Sequence, residues 1–243
     1  DYDLLISTNI EKGEELKIIK KFIKGSKVDG IILMASKVED ECIEDLESIG
    51  FPFSLIGTAE DGNGRINQVD NDNALAAYEL TKHIIDIGRK NIALIVGDLN
   101  LIVSQRRLEG YKRALKEAGI NYNENLVFSG SFDEKIGYHY GEIISKLDTL
   151  PDGLIITDDL VAFGALRAFE SLGIKVPEDI AIASFNNSVF AKHSNVPLTS
   201  VDINTMELGR QAMVLLVDAI EVDTRGEKIN IEHRIHIRES SKG

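Results

Sequence analysis

GLIITDDLVAFGALRAFESLGIKVPEDIAIASFNN (153–187) reads as a strand, a helix and a second strand. GLIITDD (153–159) and DIAIASF (179–185) are short apolar runs without polar alternation, the composition of strands buried on both faces. Residues 160–173 between them carry a helical pattern that closes on Gly173, a residue type suited to a helix C-cap. Strands that alternate with helices in this way form parallel sheets with helices on both faces. In open α/β sheets, ligands bind at the carboxyl ends of the strands. Polar residues stand at both such ends here: Asp158 and Asp159 after the first strand, Asn186 and Asn187 after the second. Taken alone, each pair has an ordinary reading, one aspartate capping the next helix and the asparagines satisfying a turn. With one aspartate committed to the cap, the other is left to face a ligand.

The same alternation continues outward. Further strand candidates are DLLIST (3–8), VDGIILMAS (28–36), PFSLIGT (52–58) and NIALIVGD (91–98), and INIEHRIHIR (229–238) is strand-like near the end of the chain. Helical patterns lie between them. Leu16, Ile19, Phe22 and Ile23 share one face; Ala77, Leu80, Ile84 and Ile87 share another. Residues 104–119 and 134–147 repeat the pattern, and a further helix carries Leu208, Ala212, Leu215 and Ala219. Gly50, Gly88, Gly119 and Gly173 fall where these helices should end. No Gly/Ser-rich linker separates two halves, so lobes must be joined by short crossings. GTAEDGNGRINQVDNDN (57–73) is the best candidate for one and DINT (202–205) for a second. The expected fold is therefore α/β, with two doubly wound parallel-sheet lobes and a ligand cleft bounded by strand ends. One lobe takes residues 1–70 with 203–226, the other residues 71–202 with 227–243.

Composition limits the function. The chain of 243 residues is long enough for two lobes with separate cores. It holds 40 acidic and 27 basic residues, a net charge of −13, with no basic run longer than Lys20-Lys21. Nucleic-acid affinity rests on Lys and Arg neutralising phosphates, so these residues are not expected to grip DNA by themselves. No stretch approaches the roughly 20 apolar residues that span a bilayer. Cys42 is the single cysteine, which rules out an intramolecular disulfide and suits a reducing cytoplasm.

Catalysis finds little support. His233 and His236 in one strand would point to opposite faces and make poor co-ligands for a metal. Cys42 lies among acids that disfavour a thiolate. No G-x-S-x-G, Walker A or G-x-G-x-x-G motif is present. No cofactor or metal is expected. The polar groups that recur near strand ends are of another kind. Asp70 and Asp72 in QVDNDN are candidate helix caps; Arg106 and Arg107 open the helix after VGDLN; Phe132 in GSFDE is either core or an exposed platform. Aspartate, asparagine, an arginine fork and an aromatic ring are the groups that hold a neutral polyol, through its hydroxyls and its apolar face.

Three segments carry a family resemblance: RRLEGYKRALKEAGI (106–120), TDDLVAFGALRAFESLGIKVPEDIAIASFNN (157–187) and VPLTSVDINTMELGRQAMVLLVDAI (196–220). In content, order and spacing the chain resembles the effector-binding domain of the lactose-repressor family of bacterial transcription regulators, over essentially its whole length. The VPEDI turn and the PLTSV segment are its most characteristic pieces. The resemblance implies two lobes of the periplasmic-binding-protein type, a sugar or nucleobase effector between them and a cytoplasmic homodimer that meets operator DNA through an N-terminal headpiece. Nothing in these residues resembles that headpiece. DYDLLIST resembles the second strand of the first lobe, so a strand and a helix, roughly 25–30 residues by the size of a βα unit, are expected upstream.

Carried over by position, Arg107 matches the effector-contacting arginine three residues before the Gly-aromatic pair, here Gly110-Tyr111. Phe132 matches an aromatic that stacks on the effector. Asp158 matches a polar contact that is commonly Asn, beside the near-constant aspartate represented by Asp159. Asn186 matches the usual aspartate after the buried strand. The change matters, because an amide donates as well as accepts whereas an ionised carboxylate only accepts. Asp72 completes the expected ligand-binding set. QVDNDN together with SFNNS is similar to maltose-operon repressors, which implies maltose or a related α-glucoside. An extracytoplasmic sugar-binding protein of a transport system shares the fold and is the alternative.

Overall fold

The computed structural model describes residues 2–8, 13–59 and 64–242. The chain divides into two compact units, Asp1–Asp70 with Glu207–Ile229 and Asn71–Met206 with Asn230–Gly243. In chain order the elements begin with α1 (Glu15–Lys24), β1 (Ile31–Leu33), α2 (Glu41–Ser48), β2 (Phe53–Ile56), β3 (Asn67–Asp70), α3 (Asn73–Asp86) and β4 (Ile92–Gly97). They continue with α4 (Ile102–Glu117), β5 (Val127–Gly130), α5 (Glu134–Ile144), β6 (Gly153–Ile156) and α6 (Asp159–Leu172). The last are β7 (Ala181–Phe185), α7 (Val189–His193), β8 (Thr199–Asp202), α8 (Thr205–Glu221), β9 (Lys228–Asn230) and β10 (Arg234–His236). Gly50, Gly88, Gly119 and Gly173 all have positive φ just past a helix, as their positions in the sequence require.

The first unit holds a sheet in the order β1-β2-β3-β9, with β1 and β3 parallel to β2. Ile19 of α1 and Cys42, Ile43 and Leu46 of α2 pack with Phe53, Leu55 and Ile66 to form its core. Residues 2–8 form no strand, which corrects the reading of DLLIST. Leu4 and Ile6 are 71% and 75% exposed, and β1 lies at the edge of the sheet. A strand is held by a hydrogen-bonded neighbour as well as by composition, and among the described residues this segment pairs with none.

The second unit holds a sheet in the order β10-β8-β7-β6-β4-β5. Its neighbours are parallel except β10, which runs antiparallel to β8. Successive side chains of β4 explain its unbroken apolar run. Ile92, Leu94 and Val96 join a core with Leu80, Tyr111 and Leu115 from α3 and α4. Ala93 and Ile95 face the opposite core, with Ile144, Val161, Ala165 and Phe169 from α5 and α6. Each face of the sheet is thus sealed by a helix pair. Both pairs approach at glycine. A methyl group on Gly110 would sit 2.1 Å from the Ala74 carbonyl oxygen, and one on Gly137 would sit 1.9 Å from that of Val161.

The strand-like stretch 229–238 is two strands, β9 and β10, which belong to different sheets. Asn71 marks what happens between them. Its side-chain amide donates to the carbonyl of Ile203 at 3.1 Å and to that of Ile231 at 2.8 Å. Within the second unit it therefore ties the stretch that begins at Asn71 to those just before Glu207 and just after Ile229.

Candidate functional site

In the second unit β4 is flanked by β5 on one side and β6 on the other, and β7 and β8 follow beyond β6. The order of successive parallel strands reverses at β4, and a reversal of this kind opens a crevice at the carboxyl ends. Several residues singled out in the sequence come together at those ends.

Phe132 follows β5. Its ring lies against the backbone of Gly97, the last residue of β4, where a methyl group would stand 2.1 Å from Cζ. Only glycine admits the ring so close to the strand. Phe132 is 38% exposed, so it is a supported platform rather than a core residue.

Arg107 is 6% exposed. Its Nε donates to Oδ1 of Asn73 at 3.0 Å and its Nη1 to the carbonyl oxygen of Thr157 at 2.6 Å. The guanidinium carbon stands 4.2 Å from the centroid of Phe185. The fork thus joins the start of α3 to the ends of β6 and β7, and Thr157 Oγ1 accepts from the Gly97 amide at 3.2 Å. Neighbouring Arg106 is exposed, paired with Glu109, and has no part in this.

Asp158 is the cap of α6: its Oδ1 accepts from the amides of Leu160 and Val161 at 2.8 and 3.2 Å. Its Oδ2 accepts from the side-chain amide of Asn186 at 2.8 Å. Burial raises its pKa above the ordinary carboxylate value, against the opposing pull of the two backbone amides and the charge of Arg107. The capping aspartate is therefore also the one beside Asn186. Asp159 does not face outward. It is 1% exposed, with Oδ1 accepting from the hydroxyls of Ser184 and Ser200 at 2.5 and 2.8 Å and Oδ2 from the amide of Ser188 at 2.7 Å. This buried knot fixes the loop that follows β7.

In that loop Asn186 and Asn187 have φ of +96° and +48°. Asparagine tolerates such conformations better than other side chains with a Cβ. The backbone amide of Asn186 donates to the Val201 carbonyl oxygen at 2.8 Å, while its side chain meets Asp158. Asp72 precedes Asn73, the partner of Arg107. It is exposed and caps α3 through the Leu75 amide at 2.9 Å. Sequence reasoning missed Asn73, Thr157, Ser184 and Ser200; Asn73 and Thr157 adjoin residues already chosen, whereas Ser184 and Ser200 lie in strands with nothing local to mark them.

The arrangement suits binding rather than bond-breaking. A ring platform, a buried cation and an amide–carboxylate pair can contact an apolar ring face and its hydroxyls. Among the described residues no group of three or more His, Cys, Asp or Glu could hold a metal ion. Cys42 is buried, and that burial pushes its thiol up to about 11. His83 is hydrogen-bonded to Ser241, and His233 to Glu79. No helix of the described residues is long and apolar enough to cross a membrane. A groove of about 270 Å³ beside α6, lined by Phe163, Leu166, Ile174, Val176 and Val196 among others, contains none of these site residues.

Comparison with known proteins gives the family. A family model described as a periplasmic binding protein-like domain matches residues 81–241. The HTH-type transcriptional regulator CelR of Thermobifida fusca is 32% identical over 235 residues, 94% of this chain and 68% of that protein. Catabolite control protein A of Priestia megaterium is 30% identical over 99% of this chain and 73% of its own length. Among solved structures, a putative LacI transcriptional regulator from a Bacillus cereus subspecies superposes with a TM-score of 0.95. It is 35% identical and matches 100% of this chain and 86% of that one. A CelR–cellobiose complex matches 94% of this chain and 71% of its own at TM-score 0.87 and 31% identity. A probable maltose operon repressor of Staphylococcus matches at 0.85 and 26%, over 98% and 84% of the two chains.

Proposed function

The chain belongs to the lactose-repressor family of bacterial transcriptional regulators, as an effector-binding domain, and from that premise we propose that it senses a glucose disaccharide, with maltose the first candidate. The observation that carries this reading is the grouping of Phe132, Arg107 and the Asp158–Asn186 pair at the reversal of strand order in one sheet. Phe132 offers its ring to the apolar face of a sugar. Arg107 and the Asp158–Asn186 pair would meet the ring hydroxyls, and Asp72 would contribute from the start of α3. The solved cellobiose complex of a relative and the likeness to a maltose operon repressor support a disaccharide; SFNNS and QVDNDN favour the α-linked one. The family is one of regulators, not enzymes, and its members named above are not transport proteins.

In this reading two copies associate, because a two-fold protein places two DNA-binding headpieces on a pseudo-palindromic operator. Phe163, Phe190 and Val189, with the last 67% exposed, supply apolar surface in the second unit for such an interface. Sugar bound at the strand ends then biases the state of the dimer, in proportion to its preference for one state.

A thermal-shift screen of mono- and disaccharides tests the sugar. A ligand at a hundred times its Kd should stabilise the fold by about 2.7 kcal/mol. Maltose should raise the melting temperature more than cellobiose. The maltose assignment falls if cellobiose is the stronger, and the disaccharide reading falls if neither acts.

A further inference from the structure

In the proposed site Asn186 meets the ligand, yet the loop that carries it is held from elsewhere. Asn187 is bonded through its backbone amide and both ends of its side chain. Its backbone amide donates to Ser200 Oγ at 3.0 Å and its side-chain amide to Asp202 Oδ2 at 2.9 Å. Its side-chain oxygen Oδ1 accepts from Nη2 of Arg238 at 2.5 Å. The other arm of that guanidinium, Nη1, donates to the Leu198 carbonyl oxygen at 2.7 Å. Arg238 thus spans from β8 to the loop after β7, although it lies 51 residues beyond Asn187 in the chain.

Arg238 is itself anchored. Its backbone amide donates to Thr199 Oγ1 at 2.8 Å, and that hydroxyl returns a bond to the Arg238 carbonyl oxygen at 3.2 Å. Beyond it, Ser240 and Ser241 are fully buried. Ser240 Oγ donates to the Ile182 carbonyl oxygen at 2.6 Å and accepts from the Thr199 amide at 2.8 Å. Ser241 Oγ donates to Thr199 Oγ1 at 2.6 Å. Residues 238–241 are therefore clipped onto β7 and β8 independently of the Arg238 side chain. The purpose of that side chain lies in what it grips: the second of two consecutive residues with positive φ.

We propose that Arg238 is a positioning residue of the effector site: by holding Asn187 it sets the turn that aims the Asn186 amide at Asp158. The inference rests on the sugar-site reading only for its consequence in binding. Its structural half, that the Asn186–Asp158 contact depends on Arg238, stands independently. The bonds of Asn187 to Ser200 and Asp202 hold it from the side of β8, and Arg238 adds the grip on its Oδ1. Arginine suits the task better than lysine, because its planar fork makes two bonds in fixed directions.

The test compares Arg238→Ala, Arg238→Lys and Ser241→Ala in the 243-residue chain. Ser241→Ala loosens the same terminal segment without touching Asn187, so it controls for stability alone. Two readouts are taken: the side-chain amide signals of Asn186 by NMR in the ligand-free protein, and calorimetric affinity for maltose and for cellobiose. In the wild type the Asn186 amide protons, bonded to a carboxylate, should be shifted and slow to exchange. In Arg238→Ala they should collapse to the position of a solvated amide. Sugar affinity should fall about tenfold, the loss expected for one misplaced hydrogen bond to the ligand. Arg238→Lys should fall between, and Ser241→Ala should melt lower while keeping both readouts.

An unmoved Asn186 amide in Arg238→Ala overturns the proposal. So does an equal displacement in Ser241→Ala, since the effect would then belong to docking of the terminal segment. If the wild type binds neither sugar, the sugar reading fails, and the amide signals still decide whether Arg238 positions Asn186.

Discussion

Arg107 is a cation held at 6% exposure between Asn73, the Thr157 carbonyl and the ring of Phe185. It therefore has two roles that one substitution would expose together. Arg107→Ala leaves two buried acceptors without their donor, at about 1–3 kcal/mol of folding free energy, and takes from the site its only buried fork. We expect a lower urea midpoint and sugar affinity weakened at least about tenfold. Loss of affinity without loss of stability would mean that the bonds to Asn73 and Thr157 contribute nothing to the fold. Unchanged affinity would remove Arg107 from the site. At this scale the sequence told much, but unevenly. The position of Arg107 was legible from its motif; its burial was not, because the partners that make burial tolerable are 34 and 50 residues away. The same limit separates the two aspartates. Asp158 and Asp159 are adjacent and alike, and only the positions of Ser184, Ser200 and Asn186 decide which one caps a helix at the site and which one is buried.

Among the elements, helix faces and buried strands followed from periodicity, since apolar spacing is set by the helix or strand itself. Among the strands absent from the sequence-based candidates, β3 and β8 read as polar: NQVD and TSVD. They are nonetheless buried, because their polar groups are satisfied inside. Asn67 donates to the Thr224 carbonyl at 2.9 Å and accepts from the Glu227 amide at 3.1 Å, while Thr199 and Ser200 join the hydroxyl network beside β7. A polar strand of this sort has no local signature. Close helix packing is equally hidden. In α5 and α6, Gly137 faces the Val161 carbonyl and Gly164 that of Glu134, each leaving no room for a methyl group. Gly137→Ala should therefore destabilise by about 1–3 kcal/mol through overpacking. Gly209→Ala is the counterpart. It lies in α8 with nothing within 4 Å, so alanine's helix propensity should leave stability unchanged or raise it by about 0.5–1 kcal/mol. Urea unfolding of the two variants compares them directly. Equal effects would show that glycine content alone, rather than the approach of α5 to α6, sets the response.

At the scale of the whole molecule the chain enters or leaves the second unit three times, and the question is what orders those three stretches within it. Asn71 is 5% exposed, and its one amide nitrogen reaches Ile203 and Ile231, the neighbourhoods of the second and third passages of the chain, while Asn71 itself belongs to the first. The sequence offered crossings at 57–73 and 202–205, but nothing in it shows that a single side chain buckles them, because the partners are backbone carbonyls and any residue could supply those. Asn71→Ala withdraws the donor and leaves two carbonyls in a buried place, at about 1–3 kcal/mol each if water cannot reach them. The loss is local. Neither unit's core includes Asn71, so far-ultraviolet circular dichroism should stay that of the wild type. Hydrogen exchange should instead quicken around residues 203–206 and 229–232, and only slightly in β4 and β6, whose ladders lie deep in the sheet. Asn71→Asp makes the argument sharper, since it keeps the shape but turns the donor into a carboxylate facing two carbonyl oxygens. It should be worse than alanine. If Asn71→Asp exchanges like the wild type at 203–206 and 229–232, the buckle is not what holds the crossings, and their order must come from the strands on either side.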